Sequence, residues 1–199
     1  MGTLHKTDNK ALGLKLEIRR QAIRASGLKE FRVLDLFAGE GRIWRELQQE
    51  FKVVAYTPVD KLPRLPGTLK MNIDARTIQA FDLAQFNAVD IDTYGEPWIP
   101  WLDLLPRIAH RTLFFLTHGA TGTLGSNLSH CARAALGIPL DWDIPRKRDL
   151  ATFAAPYLLL AENPHSRIVR GWECRLQNVT YYALICDLRG KKHGRKNGN

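Results

Sequence analysis

Cysteine is scarce in this chain, and what there is does not cluster. Cys131, Cys174 and Cys186 are the whole set. They form no C-x-x-C pair and meet no histidine at zinc-ligand spacing. That argues against a disulfide framework or a structural zinc site and leaves free thiols in a reducing compartment. Cys174 and Cys186 are expected on strands as small apolar side chains. No run reaches the roughly 18 apolar residues of a membrane-crossing helix. The opening MGTLHKTDNK has no apolar stretch of the secretory kind, and Lys6 stands where a myristoylation signal has Ser or Thr. The expectation is a cytoplasmic protein with no membrane association and no bound metal.

Acidic residues are thin at both ends. Residues 1–32 hold eight Lys/Arg against three Asp/Glu, and residues 189–199 hold five against none. Residues 33–188 hold sixteen against seventeen, so the net charge of +9 comes from the termini. Basic ends of this kind suit a polyanion, and nucleic acid (RNA or DNA) is the expected partner. A solubilising, disordered tail is the plainer explanation for RGKKHGRKNGN.

What is present is an alternation of two patterns. LGLKLEIRRQAIRASG carries Leu12, Leu16, Ile18 and Ile23 on one side and basic residues on the other. It predicts a helix over 14–26 with Gly27 as its C-cap. FRVLDLF, KVVAYT, TLKMNID, FNAVDID and RTLFFLTHG read as strands, mostly apolar throughout as in a parallel sheet. Helical stretches stand between them, including IWRELQQE and EPWIPWLDLLPRIA, where Pro106 is expected to bend the chain. Further helices are expected over 127–136 and from Asp149. SRIVRGWECRLQ and VTYYALICDLR read as a hairpin. The sum is an α/β protein: a Rossmann-like, seven-stranded, mostly parallel sheet with a C-terminal antiparallel hairpin and helices on both faces. Its parts are a basic helix packed on the core (1–29), the main domain (30–188) and a disordered basic tail (189–199).

Ligands of such sheets bind beyond the carboxyl ends of the strands. There, VLDLFAGEGR places Asp35 inside a strand and Gly39 and Gly41 in the turn after it. Glycines in that turn let the backbone take unusual dihedrals or approach a ligand closely. A dinucleotide fingerprint needs a third glycine at position 44, which is Trp44. A Gly-Lys-Ser/Thr phosphate loop is absent as well.

The stretch resembles motif I of the class I S-adenosylmethionine-dependent methyltransferases: an apolar strand with an internal acid, then a small residue, Gly, any residue, Gly. The resemblance implies S-adenosyl-L-methionine as cofactor, with Phe37, Ala38, Gly39 and Gly41 lining its methionine end. It also implies that Asp35 holds the loop and the amino group. An acid at the end of the second strand would accept both ribose hydroxyls. Asp60 is the candidate, with Thr57 the alternative occupant of that place. NIDART is similar to the adenine-side motif, which implies Asp74 and Ala75 beside the base. Asp74 also suits a helix N-cap.

VDIDTYGEPW then falls where motif IV would lie. It is similar to the Asp-Pro-Phe-Gly pattern of tRNA guanine methyltransferases that modify the exocyclic amine. It matches at Asp92, Gly95 and Pro97, with Tyr94 as the aromatic, and departs at Thr93 and Glu96. The resemblance implies methyl transfer to a base amine, with Asp92 accepting the amine N–H and Tyr94 stacking on the base. Asp90 lies two residues earlier on the same side, either against the cofactor or as a structural carboxylate. Trp98 is a further candidate for stacking, with core packing at an apolar helix start as the other reading. His118, after the fifth strand, is either a general base or a polar loop residue, and the Arg146–Lys147–Arg148 cluster is either a phosphate contact or a solvated surface. The Thr93 departure leaves open a non-catalytic nucleic-acid-binding module that keeps the cofactor fold. A small-molecule or protein methyltransferase is the third reading.

Overall fold

The first helix ends where the sequence provides a glycine. α1 spans Leu12–Ser26, and Gly27 follows it at φ 74°, ψ 0°, a left-handed C-cap. Leu16, Ile18, Ala22 and Ile23 are buried from that helix, and so is Arg19. The computed structural model describes residues 11–74, 78–93, 95–119, 164–176 and 179–189. The helices expected over 127–136 and from Asp149, the Arg146–Arg148 cluster, Tyr94, Ala75 and residues 190–199 lie outside the described residues.

The strands are β1 (Phe31–Leu36), β2 (Val53–Asp60), β3 (Leu69–Lys70), β4 (Ala88–Ile91), β5 (Thr112–Gly119), β6 (Ser166–Leu176) and β7 (Val179–Leu188). They form one sheet in the order β3-β2-β1-β4-β5-β7-β6. β1 to β5 run parallel, β7 is antiparallel to β5, and β6 is antiparallel to β7. This is the expected mixed sheet. Cys174 and Cys186 fall on β6 and β7 as expected, the first half-buried and the second buried.

Three boundaries differ from the sequence reading. β2 does not stop at Thr57 but continues through Pro58 to Asp60. Proline is tolerated there because β3 pairs only with Val59 and Asp60, leaving β2 a single neighbour at Pro58. β3 shrinks to two residues, both exposed. β4 ends at Ile91, so Asp92 stands just past the strand rather than within it.

The sheet separates two apolar layers. α1 and α2 (Arg42–Leu47) cover one face, where Ile18, Ala22, Ile23, Trp44, Leu47, Phe115 and Ala183 pack together. α3 (Trp98–Leu104) covers the other, with Trp98, Trp101, Leu104, Phe114 and Leu184. Pro97 precedes α3 as its N-cap, and a 3₁₀ turn around Pro106 ends it. No helix among the described residues is long and apolar enough to cross a membrane.

The chain order reverses between β1 and β4, which are neighbours in the middle of the sheet. On one side the order runs outward to β3, on the other to β5. The crevice above that reversal is where open α/β sheets hold ligands.

Candidate functional site

The loop after β1 is built from three residues in left-handed backbone. Phe37 has φ 68°, Gly39 φ 55° and Gly41 φ 62°. The glycines hold that conformation without penalty, whereas Phe37 is a strained exception of the kind that gathers at functional sites. Hydrogen bonds fix the turn: Ala38 N–H donates to the Val59 carbonyl at 3.0 Å and Gly41 N–H to the Ala38 carbonyl at 2.8 Å. A Cβ on Gly41 would lie 2.7 Å from Leu65 Cδ2 and 3.1 Å from Tyr56 Oη. A side chain there would have to displace Leu65, and the positive φ makes any L side chain strained.

Asp60 ties this loop to β2. Its Oδ2 accepts Gly39 N–H at 2.8 Å and its Oδ1 accepts Leu62 N–H at 2.7 Å. Because β2 runs to Asp60, this residue occupies the strand end, and Thr57 is paired with Leu34 within the sheet. The geometry thus favours Asp60 over Thr57 at the end-of-strand position.

Beneath the loop lies a polar cluster on the α1 face. Asp35 of β1 and Asp90 of β4 are in register on adjacent strands. Arg19 grips Asp90 with Nε to Oδ2 at 2.8 Å and Nη2 to Oδ1 at 2.7 Å. The Trp44 indole N–H adds a bond to Oδ2 at 2.9 Å. One helical turn earlier, Lys15 Nζ meets both oxygens of Asp92, at 2.9 and 2.6 Å. Asp35 Oδ2 accepts the Tyr56 hydroxyl, at 2.7 Å.

The charges follow from these partners. Burial, followed by the neighbouring Asp90 charge, pushes the Asp35 carboxyl well above the ordinary range, against the Tyr56 hydrogen bond and Arg19. Burial works against an ionised Asp92, but Lys15 and Arg19 overcome it and hold its carboxyl below the usual value. Burial and the Asp35 charge together raise the Tyr56 hydroxyl.

Asp90 has a side chain 1% exposed, and both of its oxygens are held by Arg19 and Trp44, the surroundings of a structural carboxylate. Asp92 keeps its place at the mouth of the site, with 20% of its side chain exposed beside Lys15 at 16%. The Asp74 carbonyl accepts Ile78 N–H at 3.0 Å, the bond a helix N-cap carbonyl makes. The loop around Tyr94 is pinned to β5: Thr93 Oγ1 donates to the Thr117 carbonyl at 3.2 Å, and Gly119 N–H donates to the Gly95 carbonyl at 2.9 Å. His118 is buried against Trp98, ring centroids 5.4 Å apart. Burial lowers its pKa, with Glu96 opposing. Trp98 is fully buried, as its apolar setting suggested.

Sequence reasoning missed Lys15, Arg19, Trp44 and Tyr56. A signal for the first two existed. Four residues of helix rise about 6.0 Å and two residues of strand about 6.6 Å. Lys15 and Arg19 can therefore face Asp92 and Asp90 only if α1 lies antiparallel to β4, and that match holds here.

A central order reversal, a two-glycine turn after β1 and an acid closing β2 define a Rossmann-like fold of the methyltransferase type. No family model matches the chain, and no curated protein matches it. Solved structures do. A SAM-dependent methyltransferase of Leishmania major aligns over 90% of this chain and 74% of its own, at TM-score 0.57 and 10% identity. The CurJ carbon methyltransferase aligns over 89% of this chain and 55% of its own, at TM-score 0.56 and 11% identity. The plantazolicin methyltransferase BamL, solved with SAH and a triazolic desmethylPZN analog, aligns over 91% and 86%, at TM-score 0.50 and 11% identity. Identities this low establish the shared fold.

Proposed function

We propose that the chain is an S-adenosylmethionine-dependent methyltransferase whose acceptor is an amine, with a base of RNA or DNA as the preferred substrate. The observation that carries this reading is the junction of the glycine turn with Asp60, at the point where the strand order reverses. The residues present suit the cofactor. Asp35 is 5% exposed, yet its Oδ1 takes no hydrogen bond among the described residues. The basic ends of the chain support a polyanionic acceptor.

S-adenosylmethionine, when bound, supplies a methyl group activated by a sulfonium. The loop Phe37–Gly41 would hold its amino-acid end, with Asp35 beneath. Each Asp60 oxygen already accepts one N–H and retains capacity for a ribose hydroxyl. Asp74 and Ala75 are assigned the adenine. Asp92 acts on the acceptor: its carboxylate accepts an amine N–H, which orients the nitrogen and returns electron density to it. Lys15 keeps that carboxylate ionised and in place. Tyr94 is assigned the stacking face for the base.

One observation favours a different acceptor. BamL, which shares the fold, was solved with a small azole ligand. A single assay addresses both: labelled methyl transfer to tRNA, other RNA, DNA, protein and small amines in parallel. Label entering nucleic acid, reduced about 10²-fold or more by Asp92→Ala, is the expected result. Label entering small amines alone would move the acceptor class. Tight cofactor binding with no transfer to anything would identify a binding module.

A further inference from the structure

The cluster under the glycine turn holds three carboxylates and two cations. Asp90 has Arg19, and Asp92 has Lys15. Among the described residues Asp35 has the neutral Tyr56 hydroxyl and no cation of its own. The residue is 5% exposed, and its in-register neighbour across the strand pair is another acid. Adjacent strands lie about 4.8 Å apart, so the two carboxyls are close and point to the same face. An ionised carboxylate without a cation in such a place is costly, and two neighbours of like charge make it more so.

The groups facing Asp35 come from four elements. Among the described residues they are Lys15 and Arg19 on α1, Tyr56 on β2, Asp90 on β4 and Asp92 just past it, with Arg45 of α2 acting on Tyr56. Both cations are already engaged: Arg19 gives Nε and Nη2 to Asp90 and Nη1 to the Lys15 carbonyl, and Lys15 gives Nζ to Asp92. Neither can turn to Asp35 without orphaning its present partner. Among the described residues the cluster is therefore one positive charge short of balance. A proton on Asp35 supplies that charge when no ligand is bound, and an organic cation can replace it.

We propose that Asp35 is a proton-loaded receptor for the ammonium end of the cofactor, which enters as the Asp35 proton leaves. The step is a simple exchange: the Asp35 O–H bond breaks, the proton passes to solvent, and the carboxylate keeps the electron pair and faces the ammonium. This inference rests on the cofactor reading above and adds the proton stoichiometry to it. It also accounts for the spare Asp35 oxygen, which neither Tyr56 nor any other described residue uses.

The test is calorimetric titration of the full chain at about pH 6, where an α-amino group is already protonated. Buffers of different ionisation heat report the protons released per ligand bound. The probes are S-adenosylmethionine, S-adenosylhomocysteine and methylthioadenosine, the last lacking the amino-acid end and its ammonium. The expected result is release approaching one proton with the first two and none with methylthioadenosine. Asp35→Asn should abolish the release and weaken S-adenosylmethionine about tenfold or more, while leaving methylthioadenosine nearly unchanged. If Asp35→Asn fails to fold, the wild-type comparison among the three probes still decides. Equal proton release with and without the ammonium, or none with any of them, overturns the proposal. Absence of binding by all three overturns the cofactor reading itself, and the exchange with it.

Discussion

Arg19→Met is the most informative single change at the α1–β4 seam. The Arg19 and Asp90 side chains are 2% and 1% exposed, and two hydrogen bonds of 2.8 and 2.7 Å join them. Methionine fills similar space and keeps an apolar contact with Phe115, whose ring centroid lies 5.2 Å from the guanidinium carbon. It leaves Asp90 with the Trp44 indole as its remaining partner. Orphaning one member of a buried pair costs about 3–5 kcal/mol, a large share of the about 5–15 kcal/mol that holds a typical domain together. With a urea slope of about 2 kcal/mol per molar, the unfolding midpoint should fall by about 2 M. Asp90→Asn alone should cost a similar amount, because it orphans Arg19 instead. The double variant Arg19→Met with Asp90→Asn should recover at least about 2 kcal/mol of the summed losses, since no charge then remains. A midpoint shift under about 0.5 M for Arg19→Met, or losses that simply add in the double variant, would refute the reasoning.

Two further outcomes follow from the geometry. Gly41→Ala places a Cβ against Leu65 and Tyr56 at φ 62° and should cost about 1–2 kcal/mol in thermal melts; adding Leu65→Ala should return only part, because the backbone penalty stays. Glu173 on β6 is raised by burial to about 7, against about 4.3 in an unfolded chain. A raised acid binds its proton more tightly when folded, so its contribution is complete below about pH 4 and lost as pH climbs through 7. Glu173→Gln should flatten the decline in melting temperature across that window, and an unchanged pH profile would remove Glu173 as its source.

Much of the fold is legible because it is encoded in local patterns. The apolar runs at 31–36 and 112–119 are too short for buried helices, and Gly27, Gly39 and Gly41 mark turns that need left-handed backbone. The extent of β2 is less legible, since Pro58 reads as a stop until the missing outer neighbour is known. The site divides the same way. Asp35, Asp60 and Asp92 stand out because strand ends seldom carry acids without a reason. The roles of Lys15 and Arg19 were hidden because they depend on contacts 77 and 71 residues away. In sequence they are two basic residues of an amphipathic helix, and only the helix direction relative to β4 turns them inward. The pairing of Asp90 was hidden for the same reason: its partner Arg19 belongs to another element.

The pairing of α1 with β4 also has a consequence for synthesis. Within this domain α1 is made before β4, and its two ion-pair partners lie 71 and 77 residues downstream. At about 5–20 residues per second, the helix waits several seconds before Asp90 and Asp92 exist. During that interval its apolar side can already pack on Phe31, Trp44 and Leu47, but Arg19 and Lys15 have no carboxylate to meet. Closing the polar seam between α1 and β4 is therefore a late event in forming the domain.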